Sequence, residues 1–119
     1  MKTKPIKTVE KVWGRELWIC NTKKYCGKIL TVNKGFCCSL HYHRKKDECF
    51  FILSGEILME YDYQMPKKVT LSAGDVFHIY PEMVHRFTGV GDNNTIIEFS
   101  TTHKNSDSYR IEPSGKVKP

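Results

Sequence analysis

The sequence predicts an all-β chain folded as a small jelly-roll barrel. Three observations lead there. No stretch of eleven or more residues keeps a 3.6-residue apolar period. Short β-branched and aromatic runs instead recur between Gly, Pro, Asn and Asp punctuation. Their turns come about every 8–12 residues, and a single open sheet of so many strands would leave one apolar face uncovered. At 119 residues, with 39% hydrophobic and 27% charged side chains, the chain has the size of one domain, residues 1–119.

In order, the predicted strands are Glu16 to Cys20, Lys28 to Asn33, Cys37 to His43, Cys49 to Leu53, Glu56 to Tyr61, Lys68 to Ser72, Val76 to Ile79, His85 to Thr88 and Thr95 to Thr101. Ser54-Gly55, between two apolar runs, reads as a hairpin turn with Gly55 at positive φ. The barrel is expected over 13–102. The polar stretch from His103 to Pro119, with Pro113, Gly115 and Pro119, reads as an irregular tail.

Five cysteines form an odd count with Cys37 and Cys38 adjacent, and no Cys-x-x-Cys pair occurs, so free thiols are expected rather than a disulfide scaffold or a zinc knuckle. The start MKTKPIKTVEK lacks an apolar signal core, and no apolar run approaches the roughly 20 residues that span a bilayer, so the expectation is a cytoplasmic protein away from membranes. The net charge of +6 favours anionic partners. Its basic residues lie at the ends and in turns such as Arg44 to Lys46, with no basic helix, which reads as solvated surface rather than a nucleic-acid face.

His41 and His43 are two apart in a predicted strand, which puts both imidazoles on one face with Cα atoms roughly 6.5–7 Å apart. By the same parity Cys37 and Ser39 share that face, while Cys38, Leu40 and Tyr42 point away. Glu48 opens the next strand and His85 a later one. Three imidazoles and a carboxylate suit one divalent transition metal, whether Zn, Mn, Ni, Co or Fe, with positions open for substrate. A His-x-His pair alone is more often a surface pair, so the complete spacing decides.

Gly35, His41, His43, Glu48 and Gly55 are separated by five, one, four and six residues through GFCCSLHYHRKKDECFFILSG. This run resembles the first motif of the cupin superfamily at every defining position. GDVFHIYPEMVHRF, opening at Gly74 with His85 eleven residues on, resembles the second. There Tyr80 replaces the usual proline, Glu82 the turn glycine and Gly89 the asparagine.

KVWGRELW, CGKILTVNKG, TIIEFST and SDSYRIEPSGK resemble, over about 9–116, the cupin domain of type II mannose-6-phosphate isomerases. That family usually has glutamine where this chain has His41 and ends its tail motif Tyr-Gly-Arg rather than Ser-Gly-Lys. The resemblance implies isomerase or epimerase chemistry on a sugar phosphate, an anionic small-molecule substrate, through a metal-stabilised enediolate. It also implies a proton-transfer residue, for which Glu98 in the last strand is the candidate, its pKa expected to rise beside Ile96, Ile97 and Phe99. Arg86 or Arg110 is expected to hold the phosphate. Two other classes stay open: an Fe(II)-dependent oxygenase-type cupin, and a cupin that binds a sugar or other ligand without turnover. A homodimer is expected from Trp13, Trp18 and the outward set Cys49, Phe51 and Leu53.

Overall fold

A computed structural model describes residues 1–117. Two antiparallel sheets pack face to face as a jelly-roll barrel. The first runs, in spatial order, β1 (Lys7–Lys11), β2 (Gly14–Asn21), β3 (Cys26–Val32), β11 (Asn94–Ser100), β6 (Glu48–Ser54) and β9 (Val76–Ile79). In the second, β10 (His85–Gly89) lies between β7 (Glu56–Tyr61) on one side and both β5 (Leu40–Tyr42) and β4 (Phe36–Cys37) on the other. Beyond β7 lies β8 (Lys67–Ser72), and beyond β5 and β4 lie β12 (Tyr109–Glu112) and β13 (Gly115–Lys116). Among the described residues no helix is long and apolar enough to cross a membrane.

Alternation builds the core. In β3 every second residue of CGKILTV is buried, and β6 repeats the pattern over Glu48, Phe50 and Ile52. Ile52, Ile57, Met59 and Ile96 are fully buried between the sheets, each worth about 1.5–3 kcal/mol. Apolar side chains form one continuous core cluster, and the buried charged residues and histidines gather in the cavity beside it.

The nine expected strands have counterparts, with four differences. The expected strand from Cys37 to His43 breaks at Cys38 and Ser39 into β4 and β5, which resets the parity. Cys38 thus turns inward, its Sγ accepting the Phe87 N–H at 3.2 Å, and with Ser39 it joins the histidine side, while Cys37 does not. Ser54-Gly55 is not a hairpin: β6 and β7 belong to different sheets, and Gly55, at φ 82°, turns the corner between them. The stretch from His103 is not irregular, since it forms a 3₁₀ turn (Asn105–Asp107), β12 and β13; its last two residues, 118 and 119, lie outside the described residues. Neither tryptophan is free to cover a partner: Trp13 is buried edge-on against Phe87 at 4.9 Å, and Trp18 faces the barrel interior. All five cysteines are free thiols.

Candidate metal centre

His41 lies in β5, His43 follows it, Glu48 opens β6 and His85 opens β10. His85 is the direct cross-strand partner of His41, so sheet pairing places the second motif against the first. Each of the three imidazoles offers a nitrogen within 4.8 Å of the others. Glu48 Oε2 stands 3.5 Å from Nε2 of both His43 and His85. The four expected ligands therefore converge.

Their protonation is arranged for a cation. The Nδ1 atoms donate to backbone carbonyls: His41 to Ser39 at 2.7 Å, His43 to Asp107 at 3.0 Å and His85 to Met83 at 2.9 Å. Each bond leaves the Nε2 lone pair free, which is how protein shells orient metal-binding histidines. Burial depresses all three imidazoles, His85 to about 4, so they are neutral at pH 7. Glu48 Oε2 is buried and is the one such side-chain atom among the described residues without a hydrogen-bond partner. An acceptor left bare among three neutral imidazoles is costly in an empty site and satisfied by a divalent ion, so the donor set fits a metal.

Behind Glu48 lies an ion network that the sequence did not disclose. Lys46, read as part of a solvated turn, is 3% exposed. Its ammonium contacts Glu48 Oε1 at 3.1 Å, Glu98 Oε2 at 2.7 Å and His103 Nδ1 at 2.9 Å. Burial pushes Glu98 up, but the Lys46 and Lys28 charges outweigh it and hold the carboxyl at about 2, the reverse of the expected rise. Burial also raises Glu48, with Glu98 adding to the effect and Lys46 opposing it.

The tail completes the site. Asp107 accepts from the backbone N–H groups of Arg44, Lys45 and Lys46 at 2.9–3.3 Å, holding the turn that carries Lys46. It also presents the carbonyl that orients His43.

A cavity of about 630 Å³ joins the histidines and Glu48 to Glu98, Lys28, Trp18 and the rim residues Lys7, Lys11 and Arg110. Arg86 is not among its lining. Its guanidinium is tied to the Cys38 carbonyl at 3.0 Å, Glu112 at 3.1 Å and the Pro113 carbonyl at 2.9 Å, stitching β10 to the tail. His78 also lies outside, paired with Asp47 at 2.6 Å on the outer surface.

The family model described as the cupin domain matches residues 28–99, which contain all four converging residues. The chain belongs to the cupin family. Solved cupin structures superimpose closely at low identity. The capsular polysaccharide assembling protein CapF of Staphylococcus aureus gives a TM-score of 0.81 at 18% identity, covering 92% of this chain and 32% of that one. KdgF of Halomonas sp. gives 0.69 at 16%, covering 77% and 82%. Oxalate decarboxylase of Bacillus subtilis, a protein with Mn(II) centres, gives 0.72 at 20%, covering 92% and 30%. This chain thus spans about a third of the length of the CapF and oxalate decarboxylase chains. No curated protein sequence matches it significantly.

Two departures from the second cupin motif acquire a structural meaning. Glu82 adopts φ 71°, the left-handed conformation that the usual glycine takes without strain, so the turn keeps its shape despite the residue. At Gly89 a Cβ would lie 2.5 Å from the Asn33 carbonyl oxygen, so this cupin has no room for asparagine there.

Proposed function

We propose that this single cupin domain is a metal-dependent isomerase or epimerase of a phosphorylated sugar, working in the cytoplasm. The carrying observation is the cavity, which puts the three histidines and Glu48, a buried carboxylate–ammonium pair and a cationic rim in one space. His41, His43, Glu48 and His85 would hold one divalent ion. When bound, that ion supplies positive charge to the oxygens of a substrate carbonyl or hydroxyl.

The remaining work falls to the chain. Glu98 is the residue assigned to move the proton, although its ion pair with Lys46 makes it a weak base at rest. A substrate hydroxyl that inserts between the two removes part of the ammonium's pull and lifts the carboxyl toward the useful range, while Lys46 remains a donor for the opposing oxygen. Arg110, expected to hold the phosphate, lies on the rim beside β5. Arg86 is spent on structural contacts and loses its proposed role.

The test is solvent-deuterium incorporation into hexose and pentose phosphates by the metal-loaded protein. Glu98→Gln is expected to lower exchange by about 10²–10⁴-fold with metal content retained. Dioxygen uptake with Fe(II) and no proton exchange would replace this reading with the oxygenase one. A second reading, ligand binding without turnover, is favoured by the low pKa of Glu98; phosphosugar binding with no exchange would establish it.

The homodimer belongs to the proposal as well. Leu17, Ile29, Ile97, Phe51 and Val76 are successive cross-strand partners over five strands, forming an uncharged row on the outer face of the first sheet, with half-exposed Phe99 and Leu53 in the flanking rows. That row carries no charge to repel a second copy. Sedimentation at micromolar concentration should give twice 13.9 kDa, and a monomer would refute it.

A further inference from the structure

Lys28, in β3, is 2% exposed and lines the cavity. Its ammonium carries three donors that need acceptors, and where it meets the cavity a ligand can supply them. Among the described residues none lies within hydrogen-bond distance. The Glu16 carboxylate oxygen stands 3.6 Å away and already accepts from Trp18 Nε1 at 2.9 Å, and the Trp18 ring centre is 4.1 Å from the ammonium. An indole face attracts a cation but satisfies no N–H.

Register explains the placement. Lys7, Trp18, Lys28 and Glu98 are successive partners across β1, β2, β3 and β11, so they form one row along the cavity face of the first sheet. Lys7 reaches the Trp18 ring from the other neighbouring strand, also at 4.1 Å. Lys7, Val9 and Lys11 share a face of β1, and all three line the cavity. In this lobe Lys7, Lys11 and Lys28 face Glu16, and the rest of the cavity sets Lys46 and Arg110 against Glu48 and Glu98. The balance is two positive charges, which complements a phosphate dianion and exceeds what a neutral sugar or a monocarboxylate offers.

We propose that this lobe is a phosphate subsite: Lys28 and Lys7, from the two sides of Trp18, take the phosphate of a phosphorylated sugar whose other end reaches the histidine cluster. Lys28 and Glu98 are direct cross-strand partners, with Cα atoms about 5 Å apart. A phosphate at Lys28 therefore leads the attached carbon chain past Glu98 toward Glu48. The subsite rests on the sugar-phosphate reading for the class of ligand, and on neither turnover nor a metal.

The test is calorimetric titration of the chelator-treated full chain with inorganic phosphate, a hexose 6-phosphate and the unphosphorylated hexose. The wild type is expected to bind the first two and to bind the free hexose at least about 10-fold more weakly. Lys28→Met should weaken the hexose phosphate by about 10–100-fold and leave the free hexose unchanged. Lys7→Gln, at an exposed side chain outside the buried network, should weaken it by about 3–10-fold, and it carries the test if Lys28→Met fails to fold. Wild-type affinity in a folded Lys28→Met, or in Lys7→Gln where Lys28→Met does not fold, overturns the subsite, as does a wild type that binds neither anion. Because no metal is present, failure here leaves the metal-centre reading standing, and absent turnover leaves the subsite standing.

Discussion

Replacing Lys46 with methionine keeps the side-chain volume and removes the charge that two buried carboxylates share. A carboxyl held at about 2 rather than 4.5 at Glu98 contributes about 3 kcal/mol at neutral pH. Removing one partner of a buried pair costs about 3–5 kcal/mol, because the remaining charge loses its compensation. Lys46→Met should therefore destabilise the metal-free protein by about 3–5 kcal/mol at pH 7, or roughly 12–20 °C in Tm for a chain of this size.

The sign with pH is specific. In the wild type the Glu98 contribution is complete above the unfolded value of 4.5 and is lost only as pH falls from 4.5 toward 2. In the variant Glu48 and Glu98 lose the ammonium they share, Glu98 keeping only the Lys28 charge, so burial moves both folded pKa values upward and protonation relieves them. The stability gap between the two proteins should thus narrow by half or more from pH 7 to pH 5. Urea unfolding of both proteins in chelator at the two pH values measures it. A loss under about 1 kcal/mol at pH 7, or a gap independent of pH, would refute the assignment of Lys46 as the charge that holds the site together.

Three further outcomes are expected of the metal site and its turns. Glu48→Gln should leave metal-free stability unchanged or slightly raised, since it removes a carboxylate that burial disfavours, while abolishing the Tm increase on adding Zn(II) or Mn(II). Metal-free stability should fall as pH drops from 6.5 to 4, with His85 alone contributing up to about 3 kcal/mol, because with a pKa of about 4 it is neutral when folded but takes a proton when unfolded, and the other depressed imidazoles adding to the loss; His85→Gln should remove the His85 share of that decline in chemical denaturation. Glu82→Gly should stabilise by about 1 kcal/mol by relieving a left-handed residue, whereas Gly55→Ala should destabilise by about 2–3 kcal/mol, its Cβ meeting the Asn93 carbonyl at positive φ; thermal melts of both variants check the opposite signs.

The amino-acid order alone determined what depends on spacing. Alternation at period two marked the strands, and the intervals linking Gly35, His41, His43, Glu48 and His85 picked out four residues that converge in space. Such features are local, because strand parity and turn residues constrain neighbours through backbone geometry. Parity failed where tertiary packing interrupted it. The break at Cys38 and Ser39 turns one thiol inward, and the Ser54-Gly55 turn joins two sheets, because closing a barrel asks a chain to leave one sheet for the other. The tail forms strands because β4 and β5 offer it an edge, which its own polar composition could not reveal.

The charges were decided last. Nothing in RKKDE distinguishes Lys46 from its neighbours. It is buried because Glu98 and His103, more than 50 residues away, arrive on the same side and supply acceptors to its ammonium. For the same reason the pKa of Glu98 moved opposite to the expectation drawn from its apolar neighbours in sequence. Its nearest charges come from β3 and from the turn before β6, and Lys46 at 2.7 Å together with Lys28 outweighs the desolvation.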